Sequence, residues 1–313
     1  MNRSENFTLG TNYVGIRVGA SVTSFLLLAF FNIVINSTIL RKGKLRSQAR
    51  FMLLFHLLLS GVLYFGVSSL FYSLSYKGVD IPPLACQALL AILIMSASNI
   101  LLTLTLMAVD RYMAICYPLK YSAFCTKWRV WIISSITWLV AAIIPITLMV
   151  QESRASTSKE ICSPSMDKSK KFGQQSLKII LVSFCTVIIA FSYWRLLLEG
   201  RRIGVLNSRN KRAKKTIIMH AIQLGVYIIP TFINFLLQVL FKAGVLQSVE
   251  LFSVINYSFF SLAQCISPVI YGLRKEELMD ELRHPFPCFS CDLKVALEWM
   301  SKRRRPTLCF GVQ

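Results

Sequence analysis

Residues 107–121 read MAVDRYMAICYPLKY and place an acid and a base, Asp110 and Arg111, side by side near the end of a long apolar run. Charged side chains are costly inside the hydrocarbon core of a bilayer, and where they occur there they usually serve a function. The stretch therefore raises two questions: whether the apolar run crosses a membrane, and what a neighbouring acid and base do at its end.

The apolar residues of the chain are gathered into long blocks. The 313 residues are 55% hydrophobic and 16% charged, whereas soluble domains carry roughly 25% charged residues. A helix crosses a bilayer in ~20 residues, and irregular backbone cannot face lipid. The sequence therefore predicts an all-α membrane protein, a seven-transmembrane helix bundle. Its blocks lie at about 17–40, 51–75, 86–116, 128–150, 176–199, 213–241 and 249–272.

Basic residues between the blocks predict the orientation of the helices. The first, third and fifth linkers are rich in Lys and Arg, which marks cytoplasmic linkers, whereas the second has a single Lys. The fourth linker is also basic, but long translocated loops follow the rule poorly. We therefore predict a plasma membrane protein with an extracellular N-terminus. Its three parts are this N-terminus at 1–16, a transmembrane domain at 17–272, and an amphipathic helix with a cytoplasmic tail at 273–313.

The net charge of +21 follows from these basic linkers. Because the charge clusters between membrane blocks, and because no Cys/His metal spacing or base-stacking module accompanies it, we expect no nucleic-acid partner. The first fifteen residues are polar and lack an apolar core, so we expect no cleaved signal peptide.

The predicted outer segments carry candidate modification sites. Asn2 and Asn6 begin glycosylation sequons, although such tripeptides also arise by chance. Of nine Cys, only Cys86 and Cys162 fall on outer segments, where oxidising conditions permit a disulfide. We predict that these two pair and tie the long fourth linker to the start of the third helix.

Residues 273–283, LRKEELMDELR, follow the seventh block. Leu residues recur among charges at spacings that suit a short amphipathic eighth helix on the membrane lipid. Cys288 and Cys291 lie just beyond it, where reversible acylation is one interpretation and incidental spacing is the other.

The opening stretch carries a long motif. It comprises Met107, Ala108, Asp110, Arg111, Tyr112, Ala114, Ile115, Cys116, Pro118, Leu119 and Tyr121. This motif resembles the signature of the odorant receptor branch of class A G-protein-coupled receptors, and the chain looks most like the fish type. Other segments resemble further motifs of that branch: Ser192-Tyr193, the Arg212 to His220 pattern, Trp138, and Ser267-Pro268 followed by Tyr271.

The resemblance implies a role for the acid and the base. Asp110 and Arg111 can pair in the resting state, which offsets part of their burial cost. On activation Arg111 would leave the pair and reach into an opened cytoplasmic cleft, where Tyr193 and Tyr271 hold it and a heterotrimeric G protein, of the stimulatory type, docks. Residues of the same motifs, Tyr112, His220 and Pro268, are expected to take part. A purely structural ion pair is the alternative.

The sequence departs from the class A pattern in the middle of the bundle. Gly61 stands where the class usually has Asp, and Ser267 stands where it usually has Asn. The usual sodium site therefore looks dismantled, although Asn36 remains. Ile228 occupies the position of the aromatic switch residue two before Pro230, and Tyr227 is one step away.

The ligand is expected between the outer halves of the third, fifth, sixth and seventh helices. The candidate residues are mostly apolar with a few hydroxyls, which suits a small, mostly apolar odorant, although ordinary helix packing uses the same residue types. They are Leu93, Ile94, Ala97, Ser98, Leu101, Thr231, Phe232, Phe235, Tyr257 and Ser261. Lys178 on the fifth helix either reaches the lipid headgroups or faces inward toward an anionic or carbonyl ligand.

Other function classes fit the sequence less well. A transporter would need charged residues along a path or broken helices in repeated halves, and neither is evident. An enzyme is not expected, because the three His are scattered and no catalytic or metal motif is present. We expect no cofactor and no metal. A non-olfactory class A receptor that shares this ancestry is the closer alternative.

Overall fold

The fold is known from a computed structural model that describes most of the chain. The described residues are 3–124, 126–154, 168–202 and 250–268, together with 218, 221–222, 224–225, 228–230, 232–233, 236–237 and 240 in the sixth block. Within these ranges the regular structure is helical throughout.

Six long helices correspond to six of the seven predicted blocks. They are α1 (Arg3–Arg41), α3 (Ala49–Tyr76), α4 (Pro83–Cys116), α6 (Lys127–Arg154), α7 (Lys168–Arg202) and α8 (Glu250–Pro268). Two short helices, α2 (Gly43–Arg46) and α5 (Pro118–Phe124), lie in the first and third linkers. The described positions of the sixth block are helical as well.

Several helices extend past the apolar blocks that predict them. The structure begins α1 at Arg3, although the prediction treats 1–16 as an extracellular segment, and it begins α7 at Lys168 rather than at 176. Hydropathy marks only the part of a helix that faces hydrocarbon. Backbone hydrogen bonding continues through polar residues of good helix propensity until something breaks it. In α1 the part that is apolar enough to cross a membrane starts at Asn12.

Five of the described helices are long and apolar enough to cross a bilayer, namely α1, α3, α4, α6 and α7. The apolar part of α8, Leu251–Ile266, is shorter. Large apolar side chains are exposed along these helices, as at Leu26, Ile33 and Leu139. Their outward faces suit a lipid environment, in which every backbone polar group is satisfied within its own helix.

The helix α3 lies at the centre of the described bundle. It contacts α1, α4 and α6, while α4 also contacts α6 and α7, and α8 lies against α1. Phe51, Leu57 and Leu104 belong to one buried cluster that fills the space between these helices. Because lipid is as apolar as these side chains, the association of the helices depends on close packing and polar contacts more than on the hydrophobic effect.

The helix α3 ends in a C-terminal capping motif that depends on a glycine. Gly78 has a positive φ of 65°, a conformation that glycine adopts without steric cost. The Val79 amide donates to the Leu74 carbonyl at 3.1 Å and the Gly78 amide to the Ser75 carbonyl at 3.2 Å. This pattern is a Schellman motif, and it satisfies carbonyls that the helix end leaves open. Pro83 then starts α4 where a missing amide hydrogen costs nothing.

Candidate functional site

Asp110 lies near the C-terminal end of α4 and is buried, with 8% of its surface exposed. Its carboxylate accepts a hydrogen bond from the Tyr121 hydroxyl at 2.8 Å. Tyr121 belongs to α5, which follows α4 after a break at Tyr117. The linker helix therefore folds back so that a phenol supplies the polar partner that a buried carboxylate needs.

Arg111 has a different environment from its neighbour. No ion pair joins Asp110 and Arg111, which are both described, so the resting pair that the sequence predicts is not the arrangement seen here. Adjacent helical residues are turned by about 100° from each other, which directs the two side chains to different helices. Arg111 is half-buried and close enough to Tyr193 of α7 to act on its hydroxyl electrostatically. Tyr193 is the partner that the resemblance assigns to Arg111 in the activated state.

Tyr112 lies in a second polar group at the same end of the bundle. Its hydroxyl is 3.5 Å from that of Tyr117, and the two rings meet edge to face with centroids 5.8 Å apart. Arg195 of α7 lies beside both hydroxyls, and Glu199 lies one turn further along α7. The sequence analysis did not predict a role for Tyr117 or Arg195. Their positions close to the C-terminal ends of α4 and α7 could have indicated that they lie at the same end of the bundle as Asp110.

The remaining residues of the predicted switch are described only in part. Pro268 is buried at the end of α8. His220 and Tyr271 lie outside the described residues, as do Cys288, Cys291 and the predicted eighth helix at 273–283. Their predicted roles stay predictions.

The predicted ligand residues of α4 lie along one side of that helix. Ser98 and Leu101 are buried, whereas Leu93, Ile94 and Ala97 are half-buried. Beside them Asn99, which the sequence analysis did not single out, donates to the Ser60 hydroxyl of α3 at 2.7 Å. This bond fixes the rotation of α4 against α3.

The two predicted ligand residues of α8 face α1 and α3. Tyr257 contacts Tyr72 of α3 edge to face, with ring centroids 5.7 Å apart. The Ser261 hydroxyl hydrogen-bonds with Ser24 of α1 and donates to the Ala20 carbonyl at 3.2 Å. The structure therefore places both side chains between α8, α1 and α3, whereas the prediction put them in a pocket with the third, fifth and sixth helices.

The sixth block contributes less to the described site. Phe232 is 55% exposed, while Pro230 is buried and its carbonyl accepts a hydrogen bond from Asn256 of α8 at 2.7 Å. Thr231 and Phe235 lie outside the described residues, and so does the side chain of Lys178, whose backbone belongs to α7.

The family model of the 7 transmembrane receptor (rhodopsin family) matches residues 31–271. The match covers the bundle from the last part of α1 through the whole of α8, including Asp110 and Arg111. The chain belongs to this family. It is a multi-pass membrane protein with a seven-transmembrane helix bundle, and a receptor rather than an enzyme.

Three curated relatives are similar to this rhodopsin-family receptor. It is 28% identical over 205 residues to "Probable G-protein coupled receptor 148" of Homo sapiens, covering 61% of this chain and 58% of the relative. It is 23% identical over 199 residues to "Odorant receptor 131-2" of Danio rerio, covering 58% of this chain and 59% of the relative. With "Olfactory receptor 2AG2" of Homo sapiens the identity is 29% over 213 residues, covering 64% and 65%. The chain thus spans about three-fifths of the length of these relatives.

Gly61, in the middle of this receptor, lies close to α8 and α1. A Cβ atom added at Gly61 would lie 3.6 Å from the Gln264 amide oxygen and 3.6 Å from Leu28. The Asn36 amide donates to Asn32 on its own helix at 2.9 Å. Within the described residues, an uncharged amide of α8 therefore lies opposite the position where the class usually carries an acid.

The receptor also has a disulfide at the start of α4. Cys86 is buried and disulfide-bonded. Its predicted partner, Cys162, lies outside the described residues, as does Asn2. Asn6 lies in the first part of α1, where only the backbone is described.

Proposed function

We propose that this receptor is an odorant receptor of the fish type, which binds a small, mostly apolar ligand and activates a heterotrimeric G protein of the stimulatory type. The observation that carries the proposal is the separation of Asp110 from Arg111. The acid is held by Tyr121, and the base is close enough to Tyr193 to act on it electrostatically. A base freed from its neighbouring acid is available to a partner that docks at this end of the bundle.

The ligand would occupy the outer halves of the helices. Half-buried apolar side chains of α4 and nearby hydroxyls offer the mixture that small-molecule sites usually have. We propose as contacts Leu93, Ile94, Ala97, Ser98, Leu101, Lys178, Thr231, Phe232, Phe235, Tyr257 and Ser261. The coupling residues would be Asp110, Arg111, Tyr112, Tyr193, His220, Pro268 and Tyr271.

The proposed function places the N-terminus outside the cell and the receptor in the plasma membrane. Glycosylation of Asn2 and Asn6 and a bond between Cys86 and Cys162 follow from that topology. An epitope at the N-terminus should be stained on intact cells, and glycosidase treatment should lower the apparent mass of the receptor. Staining that requires permeabilised cells would reverse the proposed orientation.

A non-olfactory class A receptor is the second candidate, since a relative named "Probable G-protein coupled receptor 148" matches as well. A cyclic-AMP reporter screen against a broad odorant panel separates the two. An odorant that raises cyclic AMP in cells with the wild-type receptor, but not in cells with Arg111→Ala at equal surface level, supports the odorant proposal. Cyclic-AMP responses confined to peptides or other ligands outside the odorant panel favour the second candidate.

A further inference from the structure

A basic side chain, Arg17, lies inside the described bundle, far along the chain from the switch. It belongs to the part of α1 that is apolar enough to cross a membrane, five residues after Asn12, where that part begins. Because α1, α3 and α4 alternate in direction, Arg17 is at the end where α3 finishes and α4 starts. Asp110 and Arg111 are near the opposite end of α4.

Arg17 is directed toward neighbouring helices. Its Nη2 donates to the Ser253 hydroxyl of α8 at 3.2 Å, and its guanidinium carbon lies 5.7 Å from the centre of the Tyr72 ring of α3. Its Nε is fully buried and has no hydrogen-bond partner in the described structure. A buried guanidinium donor is costly to leave unsatisfied, so a donor kept in this state indicates a partner that the described residues do not supply.

A second unsatisfied group lies on the same side. Tyr257 is 9% exposed, and its hydroxyl is buried without a hydrogen-bond partner among the described residues. Ser21 and Ser68 lie near this hydroxyl but outside hydrogen-bonding geometry. The Tyr72 ring contacts both Tyr257 and the Arg17 guanidinium, so the residues that carry the two unsatisfied donors lie against the same ring.

The walls around these donors are aromatic. Phe65 lies against Tyr257, with ring centroids 6.3 Å apart, and stacks on Phe260 at 6.0 Å. Tyr64 meets Phe260 edge to face at 5.7 Å. A ligand that accepts hydrogen bonds from both Arg17 and Tyr257 would therefore carry its acceptor group on an apolar body that packs against aromatic rings.

We infer that α1, α3 and α8 form an anion subsite, in which Arg17 and Tyr257 bind a carboxylate on a small organic ligand. Carboxylate oxygens accept hydrogen bonds in pairs from the guanidinium fork, and charge-assisted bonds of this kind are the stronger ones. The inference deepens the proposed function. It rests on that function only in taking the bound ligand to be the one that triggers signalling. Arg17 would then help to select the ligand class, beside the proposed contact Lys178.

The test measures binding directly. The full receptor in nanodiscs of zwitterionic lipid is heated with and without 3-phenylpropanoate, and separately with its neutral amide. Ligand in large excess over its Kd stabilises the folded state, and we expect the carboxylate to raise Tm by about 2–4 °C. The amide should raise Tm by clearly less. Arg17→Gln should remove the carboxylate effect, and Tyr257→Phe should reduce it. The matched control is Arg41→Gln at the other end of α1, where the side chain is exposed, and it should keep the full effect.

An internal counter-ion is the competing explanation, and Glu250, three positions before Ser253, is the acid that the sequence places nearest. If 3-phenylpropanoate leaves the Tm of wild type unchanged but raises the Tm of Glu250→Gln, Arg17 is part of a structural ion pair and the inference is wrong. A lipid headgroup is the other source of an anion. Nanodiscs with added phosphatidylglycerol test it, since an Arg17-dependent rise in Tm there, without any effect of the free carboxylate, assigns the anion subsite to lipid.

Two further results would overturn the inference. The first is an equal rise in Tm with 3-phenylpropanoate and with its amide. The second is the lack of an Arg17-dependent rise in Tm with either 3-phenylpropanoate or phosphatidylglycerol. Signalling does not enter the measurement, so a receptor that binds 3-phenylpropanoate through Arg17 but never activates a G protein contradicts only the proposed function.

Discussion

At the scale of single residues, Tyr121 is the contact that sequence reasoning did not anticipate. The motif predicts that Asp110 and Arg111 matter, because neighbouring charges near a membrane helix end are rarely incidental. It does not predict the Tyr121 bond to Asp110, since that bond depends on how α5 folds back after Tyr117. Tyr257 was predicted as a ligand residue, but helical spacing gives its position on α8 and not the neighbouring helix that it faces.

Removing the Tyr121 hydroxyl should destabilise the receptor. Tyr121→Phe leaves the buried Asp110 carboxylate without this donor, and a hydrogen bond to a charged group contributes ~1.5–3 kcal/mol. We expect the low end of that range because Tyr121 is only half-buried. The measurement is Tm of the purified receptor in detergent, with Tyr76→Phe, whose side chain is 60% exposed, as the control. Equal Tm values for the two variants would show that Tyr121 does not stabilise Asp110.

At the scale of helices, α3 and α6 are joined by a polar contact. The Trp138 indole donates to His56 Nδ1 at 3.2 Å, and the His56 ring meets Trp131 edge to face at 5.6 Å. His56 is buried. Interhelical hydrogen bonds of this kind fix helix rotation where the hydrophobic effect cannot.

Trp138→Phe should weaken the packing of α3 against α6. The change keeps an aromatic ring but leaves a buried His56 nitrogen without its donor, which costs ~1–3 kcal/mol. Thermal unfolding of the purified variant should occur at lower temperature than that of Trp128→Phe, whose side chain is 74% exposed. A Tm for Trp138→Phe as high as for Trp128→Phe would argue against a structural role for the His56 contact.

Hydropathy predicts the presence of the helices better than it predicts their ends. Six of the seven predicted blocks coincide with long described helices, because ~20 apolar residues in a row leave few alternatives to a membrane-spanning helix. Helix ends were predicted less well. The first turns of α1 and the start of α7 are polar, so hydropathy excludes them although the backbone stays helical. The Schellman stop at Gly78 was readable in principle, since glycine favours that position.

At the scale of the whole molecule, the disulfide at Cys86 is predicted to connect α4 to Cys162 in the long fourth linker. If Cys162 is its partner, Cys86→Ser and Cys162→Ser should each reduce surface delivery strongly, because a disulfide typically contributes ~2–4 kcal/mol and either change loses all of it. The double variant should be no worse than either single variant. Surface staining measures all three, and losses that add up would mean that the two cysteines have other partners.

The central claim is that Arg111 connects this receptor to a G protein. The direct measurement is nucleotide exchange by a purified stimulatory G protein in membranes that contain the receptor, with Arg111→Ala at the same receptor density and receptor-free membranes for comparison. The account predicts exchange above the receptor-free rate for wild type and a fall to that rate for Arg111→Ala, because the Arg111 guanidinium, which is not paired with Asp110, is the group offered to the G protein. Exchange that is equal in wild type and Arg111→Ala, or absent in wild type, would contradict it.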